Sequence, residues 1–216
     1  MTPIGTEEVG AIEREIAALE ARAGVQVVAA VVPRSDSYPE VPWRAFALGA
    51  SVAALVALVV DVGRPDWLSV RSLLLQALAI LGSGAIAAVI AQAVPVFARF
   101  FLGTERTASE VRQAAEGMFI ARELFLAPQR DAVLVLVSLF EHRVVIVPDV
   151  FYRGRVEAAE WQTVVERMTP LLKRGLHGEA FLEGLGSLDA LLARKGIAAG
   201  RRPNAIPDAL VRGAFP

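Results

Sequence analysis

The chain of 216 residues has no cysteine and only two histidines. The absence of cysteine excludes disulfides, thiolate metal sites and a cysteine nucleophile. Neither His142 nor His177 has a second histidine three or four residues away, so a zinc site is not indicated. The formal net charge is −1, so no overall field favours nucleic acid as a partner. Carboxylates remain as the source of any metal site.

Charged residues are absent from two long stretches, 45–60 and 72–98. The hydrophobic fraction of 55% and the mean hydropathy of +0.49 exceed those of ordinary soluble proteins. A helix of about 20 residues crosses about 30 Å of hydrocarbon. We therefore predict a transmembrane helical hairpin over 41–102, with helices at 41–60 and 72–98 and a link at 61–71. Pro95 predicts a tilt or kink near the end of the second helix.

The flanks of this hairpin have ordinary globular patterns. Thr6 is expected to cap an amphipathic helix that ends at Gly24, and residues 104–107 are expected to form a polar turn. Further helices are predicted along an apolar face from Val111 to Leu126, from 157 to 173 and from 178 to 194, and a tail without periodicity from 198 to 216. Apolar β-branched runs predict strands at 25–32, 133–139 and 144–147, the first of them fully buried.

A strand at 25–32 needs neighbours, and only the second flank supplies them. We therefore expect residues 1–40 and 103–197 to be two parts of one domain. The predicted fold class is α/β (α+β), a small mixed sheet covered by helices and interrupted by the two-helix transmembrane hairpin. Two crossings of the membrane return the chain to the side it left, which permits the strands to pair.

Several segments outside the hairpin resemble the TPM-domain family. They are the opening helix, the 25–32 strand with the following Arg34-Ser-Asp-Ser-Tyr38 loop, the strand pair within 132–149, and Trp161 with its helix. The Asn204-Ala-Ile-Pro207-Asp208 ending is similar to that of the bacterial membrane branch, in which two transmembrane helices interrupt the domain. The resemblance implies a central sheet between helices. It also implies acidic positions at Asp149 and Asp208, and phosphatase activity or divalent-ion binding is attributed to some members.

Three aspartates are candidates for a metal site. Asp149, Asp131 and Asp36 are each predicted to lie at a strand end, and hard cations such as Ca²⁺ or Mg²⁺ favour several carboxylates together. The alternative is that they serve as turn and capping residues. Ser138 lies within a strand rather than on a nucleophile elbow. The Gly184-Leu-Gly186 segment lies within a helical pattern, so it is not expected to bind phosphate. No catalytic set is visible, and no cofactor is predicted.

Small residues recur in both predicted membrane helices. Ala45, Gly49, Ala53 and Ala57 form a ridge on the first helix, and Gly84 and Ala88 lie within a small-residue face of the second. Such residues let helices approach closely. We favour packing of the two helices on each other, with a homo-oligomer or a partner membrane protein as alternatives.

The arginine distribution predicts the orientation. Five arginines flank the hairpin on the domain side (Arg34, Arg44, Arg99, Arg106 and Arg112), whereas the link carries Arg64 and Arg71. The positive-inside rule then places the domain and both termini in the cytoplasm, at a bacterial inner membrane. The favoured function is a membrane-anchored, non-catalytic interaction or accessory module that binds another membrane or membrane-associated protein. The alternative is a divalent-metal-dependent phosphatase or ion-binding domain.

Overall fold

The computed structural model describes residues 4–63, 69–197 and 209–213. The chain divides into two compact units. Unit 1 comprises the residues up to Asp36 together with those from Thr107 onward, and unit 2 is Ser37–Arg106. Unit 1 is therefore built from two pieces of the chain that flank unit 2 in sequence.

The described residues form seven helices and four short strands. In order, the elements are α1 (Thr6–Ala23), β1 (Gln26–Val32), α2 (Glu40–Gly63), α3 (Val70–Ala93), α4 (Pro95–Phe100), α5 (Thr104–Ala121), β2 (Ala132–Ser138), β3 (Arg143–Pro148), α6 (Ala158–Lys173), α7 (His177–Arg194) and β4 (Val211–Arg212). Short 3₁₀ turns lie at Leu124–Leu126 and Val150–Tyr152. This confirms the predicted mixed α/β fold class.

The strands of unit 1 form a single mixed sheet in the order β3-β2-β1-β4. Strands β1 and β2 are parallel, with a register that runs from Gln26 opposite Ala132 to Val32 opposite Ser138. Strand β3 is antiparallel to β2, and β4 is parallel to β1. Every residue of β1 and β2 is buried, as the continuous apolar runs predicted for strands covered on both faces.

Alternate side chains of this sheet enter two separate apolar clusters. On one face, Val27, Val135 and Val144 pack with residues of α1, α6 and α7. On the other face, Val28 and Leu134 pack with residues of α5. The two-residue period of the strands divides the side chains in this way. Unit 1 is therefore a sheet with helices on both faces.

Besides shifts of single residues at strand ends, the structure departs from the sequence prediction at the start of α1, at the start of α5 and in the tail. Gly5, not Thr6, is the N-cap of α1, and its N–H donates to Glu8 Oε2 at 2.7 Å. Helix α5 already begins at Thr104, where a turn was expected. The tail contributes β4, which was not predicted and which pairs with β1 through Val211 and Arg212. Gly24 ends α1 with φ of 65°, as expected.

Unit 2 contains the two long apolar helices, α2 and α3. Each has 24 residues and the length and composition needed to cross a membrane. Helix α2 is longer than its predicted 41–60 span, and α3 begins at Val70 behind the N-cap Ser69. Within this unit, Arg44 Nη1 donates to the carbonyl oxygen of Phe101 at 2.7 Å.

The second apolar helix ends earlier than its predicted boundary at residue 98. Helix α3 stops at Ala93, Val94 is extended with φ of −114° and ψ of 101°, and Pro95 is the first residue of α4. Proline has no N–H to donate within a helix and restricts the residue before it to extended conformations. A break therefore replaces the predicted kink.

Candidate functional site

Asp149 is held by an arginine rather than by other carboxylates. The Arg130 Nε donates to Asp149 Oδ2 at 2.8 Å, and Nη2 donates to Oδ1 at 2.9 Å. The Val150 N–H also donates to Oδ1, at 2.6 Å, so Asp149 caps the following 3₁₀ turn. The Asp149 side chain is 4% exposed, whereas that of Arg130 is 51% exposed. These contacts fix the end of β3 to the turn before β2.

The pKa of Asp149 reflects these contacts. Burial opposes ionisation of the carboxyl, but the hydrogen bonds from Arg130 and from the Val150 N–H favour the charged form more strongly. The pKa of Asp149 therefore lies below its ordinary value. An aspartate held ionised by an arginine already has its charge balanced without a metal.

Asp131 lies beside this pair at the start of β2. It is buried, and its carbonyl oxygen accepts a hydrogen bond of 2.9 Å from the Tyr152 hydroxyl. Burial of the Tyr152 phenol raises its pKa, and the nearby charges of Asp131 and Asp149 add to the shift. Tyr152 also packs edge-on against Trp161, with ring centroids 5.4 Å apart. The hydroxyl thus stays a hydrogen-bond donor at neutral pH.

The sheet does not bring Asp36 to the other two aspartates. Asp36 follows β1 and Asp131 precedes β2, and these strands run parallel. The two aspartates therefore lie at opposite ends of these strands, separated by the length of a seven-residue strand, which is about 23 Å. Residues 4–63, 69–197 and 209–213 contain no group of three or more His, Asp or Glu side chains placed to hold a metal ion. Asp208 lies outside the described residues, as does the rest of the 204–208 motif.

Ser138 belongs to a polar link at the opposite end of β2. Its hydroxyl donates to Glu141 Oε2 and accepts from the Ser35 hydroxyl at 2.9 Å. The Ser35 N–H donates to Glu141 Oε1 at 3.0 Å. His142, in the same turn, has a positive φ of 50°. The link joins the end of β1 to the turn between β2 and β3, which is a structural role.

The predicted small residues lie in unit 2 as follows. A Cβ on Gly49 would come within 2.8 Å of the Ser83 carbonyl oxygen and of Ala87 Cβ, so α2 and α3 are in close contact there. Gly84 lies against Phe46, at 2.8 Å from its ring by the same measure. Ala45 is buried and Ala88 is half-buried. Ala53 and Ala57 line an apolar groove between the two helices.

Most large side chains of α2 and α3 are exposed. They include Leu48, Val52, Leu55, Val56, Leu58 and Val59 of α2, and Leu73, Leu74, Leu75, Leu78, Leu81, Ile86 and Val89 of α3. Monomeric soluble proteins rarely expose contiguous apolar surface on this scale. Asp61 and Gln76 form a polar contact between the helices, in which Gln76 Nε2 donates to Asp61 Oδ1 at 2.7 Å.

Strand β3 provides a surface that the sequence did not predict. It is an edge strand, and Asp149 N donates to Ala132 O at 2.9 Å across the β2–β3 register. Because antiparallel pairs alternate, Val147 and Val145 also exchange hydrogen bonds with β2. The N–H and C=O groups of Val144 and Ile146, and the C=O of Pro148, therefore point away from the sheet.

These outward groups form the floor of a groove of about 510 Å³. One wall is α6, through Trp161, Gln162 and Val165, and the other is α5, through Ala108 and Arg112. A second depression of about 550 Å³ shares Val144, Gln162 and Val165 with it and extends along α6. We call the first of these the β3 groove. Pro148 was the sequence signal for it, since proline in a sheet is confined to edges and strand ends.

Comparison with known proteins bears on the fold alone. No family model matches the chain, and no curated protein matches it. Among solved structures, the chain is similar to the NMR structure of BA42 protein from the psychrophilic bacterium Bizionia argentinensis. The two share 12% sequence identity with a TM-score of 0.57, over 98% of this chain and 97% of the other.

Proposed function

We propose that the chain is a membrane-anchored, non-catalytic interaction module, in which unit 2 crosses a bilayer and unit 1 binds another protein at the membrane surface. The β3 groove is the observation that carries the binding role. It combines unpaired backbone groups with a wall that carries Trp161 and Val165, and edge strands of this kind are templates for pairing with another chain. The earlier resemblance to the bacterial membrane branch of the TPM-domain family is consistent with this proposal.

Membrane anchoring is supported by the surface of unit 2. A 24-residue helix is about 36 Å long, which exceeds the roughly 30 Å of a bilayer core. In water, each fully exposed Leu, Ile or Val forfeits about 1.5–3 kcal/mol relative to burial. A bilayer covers these side chains without a protein partner. Helices α2 and α3 together then form the anchor.

The topology follows from the sheet and from the two crossings. Strands β1 and β2 pair directly, although unit 2 separates them in sequence. Two crossings return the chain to the same face, so both pieces of unit 1 belong to one compartment. The arginine bias, five on the domain side against Arg64 and Arg71 in the link, favours the cytoplasm of a bacterium.

Localisation is tested by extraction and by fusion. The proposal expects the protein to stay in the membrane pellet after alkaline carbonate washing. A reporter fused after Pro216 is expected to behave as cytoplasmic. Alkaline-phosphatase activity from that fusion would contradict the cytoplasmic orientation. Release of the protein by carbonate would contradict membrane anchoring.

The binding role is tested by photo-crosslinking in native membranes. A photoreactive residue at Gln162, in the wall of the β3 groove, is expected to give a discrete protein adduct. The same residue at Gln113, exposed on α5 and outside the groove lining, is the matched control and should give none. A phosphoester hydrolysis activity of the purified protein that Asp149→Asn abolishes would instead favour the metal-dependent phosphatase.

A further inference from the structure

We infer that the β3 groove binds an extended, acidic segment of a partner protein as an additional strand of the sheet. This inference rests on the proposed function, since it specifies what the interaction module binds. The proposed segment alternates apolar and acidic residues. Three features of the groove would recognise this segment: the backbone groups of β3, the side chains of the two walls, and the charge of those side chains.

The outer side of β3 has two residues that can both donate and accept a backbone hydrogen bond, and one residue that can only accept. Val144 and Ile146 each present an N–H and a C=O, and Pro148 presents a C=O alone. None of these groups has a hydrogen-bond partner elsewhere in the ranges that the structure describes. An antiparallel strand would exchange both bonds with Val144 and with Ile146, and would donate to Pro148. Five residues of the incoming strand, about 17 Å, cover this length.

The walls determine which side chains suit each position. Residues opposite Val144 and Ile146 would point to the face covered by α6, because opposed residues of paired strands share a face. There they meet the indole of Trp161 and the side chain of Val165, so apolar residues fit. The residue opposite Val145 would point to the face covered by α5, where Arg112 lies.

The charged side chains that line the groove are basic. Arg112 and Arg143 line it, and no carboxylate does among the described residues. Arg112 uses its Nε to donate to Glu116 at 2.7 Å, and no hydrogen bond of its Nη groups to another described residue is present. An Asp or Glu opposite Val145 would therefore gain a charge-assisted hydrogen bond. A basic residue there would be repelled.

The experiment selects peptides on the full chain held in lipid nanodiscs, from a random peptide library displayed on phage. Recovered peptides are expected to contain apolar residues at alternate positions with Asp or Glu between them. Each is then synthesised in two forms, one unmodified and one N-methylated at the amides that would donate to β3. Binding should perturb the backbone amide resonances of Val144 and Ile146. N-methylation should weaken binding at least about tenfold, because it removes the peptide donors to the carbonyl groups of β3.

Two variants add an independent test. Ile146→Pro removes an N–H that β2 does not use, so the ladder is kept while the peptide loses a donor. Arg112→Glu should weaken the acidic peptide about tenfold or more, whereas Arg122→Glu, exposed beyond the end of α5, should change its affinity less than twofold. The N-methylated peptide needs no variant, so the inference stays testable if Ile146→Pro does not fold.

Contrary outcomes are well separated. The inference is overturned if no peptide is recovered, if recovered peptides are basic, or if they leave the Val144 and Ile146 amides unchanged. Self-association of the chain that Ile146→Pro abolishes, without peptide binding, would assign the groove to a second copy and likewise overturn it. If Gln162 still crosslinks a protein in native membranes, the proposed function survives that failure. If neither crosslinks nor peptides are found, both fail.

Discussion

Arg130 donates hydrogen bonds to both carboxylate oxygens of Asp149. The backbone of Arg130 itself has a positive φ of 57°. The backbone repeats the connection, because Phe151 N donates to Arg130 O at 3.1 Å. The turn before β2 and the turn after β3 are thus joined by side chains and main chain together. The pair closes the end of the β hairpin that borders the β3 groove.

Removal of the Asp149 carboxylate should destabilise unit 1. Asp149→Ala loses the acceptor for the Val150 N–H and is expected to lower the free energy of unfolding by about 1–2 kcal/mol. Asp149→Asn keeps an acceptor oxygen and should lose less. Arg153→Ala, at an exposed position in the same turn, is the control and should change little. Denaturant unfolding in detergent measures all three, and equal stability of Asp149→Ala and the parent would contradict the role.

The same carboxylate predicts an acid dependence. Its pKa is lowered in the folded state, so its contribution is complete above the unfolded value, near 3.8, and is lost as the pH falls through the folded value. The stability difference between the parent protein and Asp149→Asn should therefore be constant near neutrality and shrink below about pH 4. A difference that grew on acidification would have the wrong sign.

Two glycines of α7 should respond in opposite directions. A Cβ on Gly184 would overlap Met168 Sδ, and Met168 is fully buried. Gly184→Ala should therefore cost about 1–3 kcal/mol by overpacking. Gly186 has open space at its Cβ, so Gly186→Ala should stabilise the helix by up to about 1 kcal/mol. Thermal melts of both variants decide this, and similar shifts for the two would contradict the packing.

A matched pair in unit 2 tests the contact between the apolar helices. Gly49→Ala would place a Cβ against the Ser83 carbonyl oxygen, which belongs to the backbone and cannot rotate away. We expect a loss of about 1–3 kcal/mol in the stability of the α2–α3 pair. Gly82→Ala meets nothing within 4 Å, so it should not destabilise the pair and should stabilise α3 by up to about 1 kcal/mol. Unfolding in nanodiscs followed by circular dichroism provides the measurement, and a neutral Gly49→Ala would argue against the contact.

The elements of unit 1 could be predicted from the sequence where an apolar pattern extends over many residues. Strands β1 and β2 are runs of seven buried residues, and α6 and α7 carry clear apolar stripes. Strand β4 could not be predicted, because two residues are too few to show a periodic pattern. The α3 boundary was placed too late because the apolar run continues past Pro95, although the helix cannot.

The surfaces were less predictable, because they depend on how strands pair. Had β1 and β2 been antiparallel, Asp36 and Asp131 would lie at the same end of the strand pair; the parallel pairing places them at opposite ends. The partner of Asp149 was also hidden, since Arg130 reaches it only after β2 and β3 fold back on each other. Prediction of the β3 groove would have required the order of the strands in the sheet, which no single segment of the sequence determines.

The pairing of β1 with β2 also sets an order of events during synthesis. Residues that meet in this ladder are more than 100 positions apart in the chain, so β1 leaves the ribosome long before its neighbour exists. Throughout that interval β1, whose residues after Gln26 are all apolar, has no strand partner, and the two long apolar helices of unit 2 emerge behind it. Under the proposed anchoring, insertion of those helices into lipid would cover their apolar surface before β2 is made, and so reduce aggregation of the nascent chain.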